Sequence, residues 1–243
     1  MTVADTSRCS VSDWDSAFFG ARIGRFEMDQ PSAADVEQAV SWARAEALDC
    51  VCALVEASAV PSVRALEQHG FGFADIRLTL DRAAGGAEAP AGWTIDVARP
   101  ADRDGLLALA RTVHRGTRFT EDPRFGAARA AELYAVWLAN ALEDADALVL
   151  VPREGARACG YLTLHGLGGP TPHIGVLAVA PEVQRRGAGR ALVAEGLRRG
   201  RGRGATRVRV VTQGGNAAAI RFYQRCGFEP RRCQLWYHRW FTP

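Results

Sequence analysis

The chain has 243 residues, of which 48% are hydrophobic and 23% charged, and its formal net charge is +3. This composition is that of a globular protein of one or two domains, and a charge so close to balance excludes a strong overall field for nucleic acid. No apolar run is as long as a membrane span, and the first residues lack the basic-then-apolar order of a signal peptide. Six cysteines, none in a CxxC pair, are typical of reduced thiols in a cytoplasmic protein without a metal site.

An N-terminal stretch of the chain resembles a stretch near the C-terminus. The segment RALEQHGFGFADIRLTLDR at 64–82 is similar to RFYQRCGFEPRRCQLWYHR at 221–239. Gly70 and Gly227 align at an offset of 157, and the same offset takes the apolar run VCALVE onto VRVVTQ. One offset that joins a strand, a helix and the next strand predicts two copies of one supersecondary unit, although the identities are few enough for chance to produce them.

The two copies differ at the positions expected to carry chemistry. The first lacks the loop of glycines and arginines that precedes a helix in the second, and Leu66 stands where the second has Tyr223. We therefore expect the first copy to have lost its site and to serve as a packing partner. The segment AAGGAEAPAG at 83–92 is rich in small residues and unpatterned, so we predict a linker there between domains at 1–82 and 93–243.

Strand and helix patterns alternate in the C-terminal part, which predicts an α/β fold. We predict strands at 93–98, 147–151, 156–165, 173–180, 205–213 and 233–241, and helices at 101–113, 126–142 and 216–228. A further helix follows the loop after the strand that ends at 180, and a polar loop spans 114–125. Asn216 is typical of a helix N-cap, and Gly227 of the residue just beyond a helix end.

The segment PEVQRRGAGRALVAEGL at 181–197 combines glycines, arginines and the start of a helix. Glycines let several amides point the same way, and a helix N-terminus adds partial positive charge, so the loop predicts an anion site suited to a diphosphate. The glycine pattern alone is a weak signal, because a glycine-rich turn between a strand and a helix is common. It matches neither the P-loop nor the dinucleotide-binding fingerprint.

The surroundings of this loop make the pattern specific. QRRGAG at 184–189, with an apolar strand before it and the helix NAAAIRFYQRCGF at 216–228 after the next strand, resembles the GNAT acyltransferase superfamily over residues 93–243. The resemblance implies a central mixed, splayed β-sheet flanked by helices, in tandem with the degenerate N-terminal copy. It also implies acetyl-CoA as the acyl-donor cosubstrate, with no metal.

By this resemblance, acetyl-CoA lies in the opening between two splayed strands. The residues that the resemblance assigns to the pantetheine arm, the diphosphate or the thioester end are Leu177, Ala178, Val179, Gln184, Arg185, Arg186, Gly187, Ala188, Gly189, Arg190 and Asn216. Tyr223 is the candidate general acid, because a phenol beside the sulfur can protonate the departing thiolate. Outside this motif, a half-buried tyrosine on a helix face would be the commoner interpretation.

No single side chain stands out as the general base. His173 begins a strand and is the first candidate, although a histidine at a strand end is more often structural. His165, Glu121, Asp122 and Glu182 are alternatives, and the superfamily often removes the proton through ordered water.

The polar loop at 114–125 lies where the superfamily usually builds its acceptor site. Arg118 can pair with a phosphate or carboxylate, Phe119 can stack on a ring, and Asp122 completes the candidate set. An ordinary connection with a turn explains the loop almost as well. The segment DWDSAFFGARIGRFE at 13–27, TRF in this loop and the ending CQLWYHRW resemble the dTDP-fucosamine acetyltransferase group, which N-acetylates an amino sugar carried on a nucleotide diphosphate.

These resemblances favour a cytoplasmic enzyme that moves an acetyl group from acetyl-CoA to a primary amine of a small molecule, with a nucleotide-linked amino sugar as the narrower expectation. Two other functions stay open: transfer from an aminoacyl-tRNA, whose phosphates the arginine-rich stretch at 198–209 would hold, and a non-catalytic module that binds CoA. A solvated helix end explains these arginines better, so neither a nucleic acid nor a membrane is favoured as a partner. A homodimer stays open.

Overall fold

The computed structural model describes residues 8–86, 90–113 and 117–241. The strands are β1 (Cys9–Val11), β2 (Ile23–Glu27), β3 (Cys50–Glu56), β4 (Gly72–Ala83), β5 (Thr94–Val97), β6 (Leu148–Glu154), β7 (Arg157–Ala158), β8 (Gly160–His165), β9 (His173–Val179), β10 (Arg207–Gln213) and β11 (Glu229–Trp240). The helices are α1 (Asp13–Phe19), α2 (Ala33–Ala45), α3 (Val60–Gln68), α4 (Arg103–Val113), α5 (Arg118–Glu121), α6 (Ala127–Glu143), α7 (Ala188–Gly202) and α8 (Ala217–Arg225). Among the described residues, no helix has both the length and the apolar character needed to cross a bilayer.

One mixed sheet runs through the protein in the strand order β1-β2-β3-β11-β4-β10-β9-β8-β6-β5, with β7 paired to β6. The paired strands are antiparallel, except that β2 with β3 and β9 with β10 are parallel. Helices cover both faces in the C-terminal half, since Leu162 packs with residues of α7 while its neighbour Tyr161 packs with residues of α4 and α6. The predicted α/β fold, a mixed sheet flanked by helices, is therefore confirmed.

The two halves of the chain exchange their last strands. β11 lies between β3 and β4, while β4 lies between β11 and β10. The two exchanged pairings have the same register, because Leu54 pairs with Trp236 and Val211 pairs with Thr79. Positions 54 and 211 differ by 157, as do 79 and 236. The repeat predicted from the sequence is thus visible in the pairing of its strands.

A local twofold axis passes between β4 and β11. Arg77 and Gln234 are 157 residues apart in the chain and pair with each other, and the Arg77 guanidinium donates to the Gln234 amide oxygen at 2.9 Å. The packing follows the same symmetry. Leu80 of β4 is buried in the core of the C-terminal half, and Tyr237 of β11, its equivalent, is buried in the core of the N-terminal half. Each half therefore completes the core of the other.

Equivalent arginines form hydrogen bonds between each exchanged strand and a helix of the other half. The Arg82 guanidinium, on β4, donates to the Cys226 carbonyl at the end of α8. The Arg239 guanidinium, on β11, donates to the His69 carbonyl at the end of α3. A cation beside the last carbonyl groups suits a helix C-terminus, so each half stabilises a helix of the other.

The polar loop predicted at 114–125 contains more regular structure than its sequence indicated. The Thr117 hydroxyl accepts hydrogen bonds from two backbone amides and so starts the short helix α5. A 3-10 turn follows at Pro123–Phe125. The beginning of the predicted loop, 114–116, lies outside the described residues.

The last strand starts earlier in the chain than its sequence pattern predicted. β11 begins at Glu229, before the predicted start at 233, because β4 offers it pairing partners from that residue onward. The division into domains stays a prediction. β4 ends at Ala83, where the linker is predicted to begin, and 87–89 lie outside the described residues.

Cutting the chain in the predicted linker tests the strand exchange. We expect a protein with a protease site in place of 87–89 to stay in one piece after cleavage, because both neighbours of β4 and both neighbours of β11 belong to the other fragment. The two fragments should co-elute in size-exclusion chromatography and separate only in denaturant, with the uncut protein as control. Two separate peaks in native buffer would contradict the exchange.

Candidate active site

The parallel strands β9 and β10 separate soon after they meet. They pair only at His173 with Arg209 and at Ile174 with Val210, whereas β2 and β3 pair at five successive positions. Beyond Ile174, residues of β9 line an opening. Such an opening between parallel strands leaves backbone groups available to an extended ligand.

A β-bulge in β9 lies at the start of this opening. The register between β8 and β9 shifts between Leu162 and Leu164, and the Thr163 hydroxyl accepts a hydrogen bond from the Val176 amide at 3.0 Å. Gly175 has no room for a side chain, because a Cβ there would lie 2.8 Å from the Thr163 hydroxyl. A bulge increases the local twist of a strand, which accounts for the divergence of β9 from β10.

One cavity, which we name the donor cavity, lies between β9, the following loop, α7 and α8. Of the residues that the sequence assigned to acetyl-CoA, all but Arg186 line it: Leu177, Ala178, Val179, Gln184, Arg185, Gly187, Ala188, Gly189, Arg190 and Asn216. The Arg186 side chain pairs instead with Glu154 at 2.9 Å, and the Arg186 carbonyl accepts a hydrogen bond from the Trp93 indole at 2.8 Å. Arg186 therefore anchors the loop from outside the cavity.

The loop before α7 leaves its amides open to a ligand. Arg185 and Gly187 have positive φ angles of 60° and 94°, so the backbone curls around its own N–H groups. Gly187 caps α7 without a side-chain hydrogen bond, and the first-turn amides are therefore not consumed by a capping side chain. A Cβ at Gly189 would lie 3.2 Å from the Phe222 ring, so this glycine lets α7 approach α8 closely. Open amides at a helix N-terminus favour an anion.

The helix of the N-terminal half that corresponds to α7 has its N-terminal amides capped by side chains. α2 begins with a capping box, in which the Ser32 hydroxyl accepts from the Asp35 amide and the Asp35 carboxylate accepts from the Ser32 amide. The hydrogen bonds with Ser32 lower the pKa of Asp35, so a negative charge stands where an anion would bind. Capped amides and continuous pairing of β2 with β3 leave the first copy without the two features that form the donor cavity.

Tyr223 joins the donor cavity to a second cavity. It lies on α8, is 6% exposed, and lines both spaces together with Leu177, Asn216 and Ala219. The predicted N-cap is confirmed, since the Asn216 side chain accepts a hydrogen bond from the Ala219 amide at 3.0 Å. Burial raises the pKa of Tyr223, with a further contribution from Cys226, so the phenol keeps its proton at neutral pH.

The second cavity, which we name the acceptor cavity, takes most of its charged lining residues from the N-terminal half. Its charged lining residues are Asp15, Arg25, Asp75, Arg77 and Arg118. Four of these five precede the predicted linker, and none of the four was among the predicted site residues. Trp236 of β11 and Trp137 of α6 add aromatic surface. The N-terminal half therefore contributes polar groups to the site as well as packing.

Arg118 is held between two aromatic rings of the acceptor cavity. Its guanidinium carbon lies 4.1 Å from the centre of the Phe119 ring and 4.0 Å from that of the Trp236 ring. Its Nη1 atom lies 3.3 Å from His238 Nε2. These contacts fix the position of a cation that forms no ion pair with a carboxylate of the described residues, which prepares it for an anionic ligand.

The other two predicted acceptor residues have supporting positions. Phe119 is 4% exposed and packs against Phe19, so its ring supports Arg118. The Asp122 carboxylate lies outside the acceptor cavity, where it accepts hydrogen bonds from His238 Nδ1 and the Trp240 indole, both at 2.9 Å. Burial raises the pKa of Asp122, but these hydrogen bonds outweigh burial and lower the pKa below its usual value. Asp122 thus ties the segment around α5 to β11.

Asp75 is the carboxylate best placed to accept a proton in the acceptor cavity. The other acidic residue there, Asp15, pairs with Arg25 at 2.8 Å. Burial raises the pKa of Asp75 and outweighs the hydrogen bond that its carboxylate accepts from the Ile76 amide at 2.7 Å. A raised pKa makes a carboxylate a better base near neutral pH.

The structure does not bring His173 to Tyr223. His173 lies at the paired end of β9, and its ring stacks on His165 with 5.3 Å between the centroids. Both histidines line a separate depression, and burial lowers the pKa of both imidazoles. Glu182 lies on the surface in an ion pair with Arg157. Across the part of the chain that the structure describes, no group of three or more His, Cys, Asp and Glu side chains is arranged to hold a metal ion.

Four of the six arginines in the stretch at 198–209 form ion pairs, which they share between two carboxylates. Two of its arginines pair with Glu195 and two pair with Asp81. Paired arginines have less charge to offer to RNA phosphates, so this stretch gives no support to an aminoacyl-tRNA donor.

Comparison with known protein sequences gives a family match in the second half of the chain. Residues 116–228 match the Acetyltransferase (GNAT) family. The dTDP-fucosamine acetyltransferase of Escherichia coli O6:H1 is 29% identical over 235 residues, which cover 93% of this chain and 95% of that protein. The similarity to this relative therefore extends over both halves.

Solved structures share the fold. A conserved protein of unknown function from Staphylococcus epidermidis has a TM-score of 0.69 at 14% identity, covering 98% of this chain and 93% of the other. A tandem GNAT protein from the clavulanic acid biosynthesis pathway has a TM-score of 0.61 at 17% identity, covering 92% of this chain and 77% of the other. Both similarities concern the fold alone, which is a tandem GNAT fold.

Proposed function

Because the chain carries a GNAT-family acetyltransferase domain at residues 116–228, we propose that it transfers an acetyl group from acetyl-CoA to a primary amine of a small molecule. The observation that carries this proposal is the position of Tyr223, whose buried phenol lines both the donor and the acceptor cavity. A proton donor at the junction of two cavities suits direct transfer between two substrates bound together.

The donor cavity suits CoA by its chemistry. The open amides before α7, with the guanidinium group of Arg185, favour a diphosphate. The backbone of Leu177–Val179 lines the cavity beyond the paired part of β9, and the amide groups of a pantetheine arm can pair with such a backbone as a strand would. Acetyl-CoA supplies the acetyl group as a thioester, and CoA departs as a thiol.

Two different residues carry out the two proton transfers of the reaction. The Tyr223 hydroxyl donates a proton to the departing sulfur, and its raised pKa keeps that proton available. The Asp75 carboxylate accepts the proton that the acceptor ammonium must lose, directly or through a water molecule. A C–N bond forms as the C–S bond breaks, so the products are an amide and a free thiol.

The finer proposal is that the acceptor is an amino sugar linked to a nucleotide diphosphate. Of the three arginines that line the acceptor cavity, only Arg25 pairs with a carboxylate among the described residues. Burial lowers the pKa of Arg77, and the three arginines of the cavity outnumber its two aspartates, which leaves an excess of positive charge. Phosphate groups on the acceptor would neutralise this excess. The similar protein from E. coli is, by its name, an acetyltransferase of such a compound.

Replacing Tyr223 with phenylalanine tests the catalytic role of the phenol. Loss of the proton donor should lower kcat by about 10²- to 10⁴-fold, while the affinity for acetyl-CoA stays nearly the same because the ring remains. Steady-state kinetics and calorimetry measure the two quantities. Tyr237→Phe is a matched control, since the Tyr237 hydroxyl donates to Glu67 outside both cavities. A Tyr223→Phe enzyme with nearly unchanged kcat would contradict the role.

The composition of the chain simplifies this assay. The 30 basic residues are all arginines, so the enzyme has no lysine side chain to compete with the acceptor as an amine. Release of free thiol in the absence of an added amine therefore reports mainly hydrolysis, and subtracting it isolates the transfer reaction.

A panel of acceptors tests the finer proposal. Amino sugars linked to dTDP or UDP should be acetylated with a kcat/KM at least about tenfold above that of the same sugars without the nucleotide, the contribution of one charge-assisted hydrogen bond. Arg77→Gln should raise KM for the nucleotide-linked sugars only, whereas Arg129→Gln, an exposed arginine with the same change in charge, should not. Equal kcat/KM for free and nucleotide-linked sugars would exclude this acceptor class and leave the acetyltransferase proposal standing.

The pH profile tests Asp75 as the base. Activity should fall as the pH drops through the pKa of Asp75, because the protonated acid cannot accept a proton. Burial raises that pKa, so the loss should begin above the ordinary aspartate value of about 3.9. Asp75→Asn should lower kcat/KM by about 10²-fold or more and remove this acidic limb, whereas Asp146→Asn on the surface should keep it. If the Asp75→Asn enzyme loses activity at low pH as the wild-type enzyme does, another group is the base.

A further inference from the structure

A third cavity adjoins the outer end of the donor cavity, beside the C-terminus of α8. Three arginines line it, namely Arg82 of β4, Arg190 of α7 and Arg225 of α8. Arg190 and Arg225 line the donor cavity as well, so the two spaces are adjacent. Positive charge therefore extends beyond the loop that precedes α7.

Within the described ranges, these three guanidinium groups have no carboxylate beside them. Among the described residues, no carboxylate lines the third cavity or forms an ion pair with them. Burial raises the pKa of the neighbouring Cys226 thiol, so it stays neutral and cannot balance them either. By contrast, a structural arginine such as Arg153 pairs with both Asp96 and Asp102. Three unbalanced cations around one space favour an anion with more than one charge.

Comparison of the two copies shows which of the three arginines has a structural role. Arg82 clasps the end of α8, and its equivalent Arg239 does the same for α3. At the position 157 residues before Arg225, however, the first copy has Gln68. The clasp is thus common to both halves, whereas Arg225 is present only beside the donor cavity and its side chain is exposed to a ligand.

We propose that this third cavity, the outer anion site, binds the 3′-phosphate of CoA. The inference rests on the proposed function, because it requires CoA in the donor cavity. CoA carries its diphosphate between the pantetheine arm and the ribose, and the 3′-phosphate is a separate phosphomonoester on that ribose. With the sulfur at Tyr223 and the diphosphate at Arg185, the 3′-phosphate is the anion that remains for the three arginines beyond.

This site would make the phosphomonoester a condition for tight binding of the donor. A donor that lacks it, such as 3′-dephospho-CoA, keeps the diphosphate and the thioester but leaves the outer arginines unneutralised. Arg82 comes from the first copy, so the strand exchange brings the N-terminal half to the donor as well as to the acceptor.

Calorimetric titration of the full chain with CoA and with 3′-dephospho-CoA tests the assignment. The wild-type protein should bind CoA at least about tenfold more tightly, and added salt should reduce that ratio. Arg225→Gln should lower the ratio by weakening CoA binding more than 3′-dephospho-CoA binding, while Arg82 and Arg190 keep part of it. Arg203→Gln, which removes an exposed arginine just beyond the end of α7, should keep the wild-type ratio.

The outcomes separate this inference from the proposed function. Equal affinity of the wild-type protein for the two ligands would overturn the outer anion site and leave the proposed function intact. A wild-type ratio that Arg225→Gln does not change would also overturn it, because the 3′-phosphate would then be bound elsewhere. If neither ligand binds, the proposed function fails, and this inference fails with it.

Discussion

Strands β9 and β10 stop pairing after Ile174 and Val210, and the rest of the site depends on that separation. The Thr163 hydroxyl accepts a hydrogen bond from the Val176 amide. This bond stabilises the bulge that accounts for the divergence of β9 from β10. Peptide groups of β9 and open amides before α7 then face the same cavity, and they complement the amide-rich arm and the diphosphate of CoA. In the first copy, continuous strand pairing and a capping box remove both features from an otherwise similar unit.

The strand exchange explains why a first copy without its own donor cavity still matters to the site. β4 and β11 lie side by side at the centre of the sheet, and residues of both line the acceptor cavity: Asp75 and Arg77 from β4, and Trp236 from β11. Each half also buries a residue of the other in its core and receives an arginine at the end of a helix. Separating the halves would therefore dismantle the acceptor cavity, so stability and function depend on the same pairing.

On the donor side, local sequence features predicted an anion-binding loop, and the family resemblance assigned the individual residues. Glycines in the loop, an asparagine at a helix start and the apolar strand before the loop depend on their own neighbours in the chain, and the offset of 157 predicted the repeat. The acceptor side depends on which strands become neighbours. Asp75 and Arg77 share one face of β4, a pattern equally typical of a solvated strand face, until β11 pairs beside them. His173 was predicted from its place at the start of a strand and Asp122 from its place in the polar loop, whereas stacking and hydrogen-bond partners distant in sequence determine their positions.

A crystal structure of the protein with bound CoA would show whether the separated strands hold the donor. We expect the pantetheine arm between β9 and β10, the diphosphate on the amides before α7, and the sulfur within hydrogen-bonding distance of the Tyr223 hydroxyl. A structure in which side chains fill the gap between the two strands, or in which CoA binds with its sulfur away from Tyr223, would contradict this expectation.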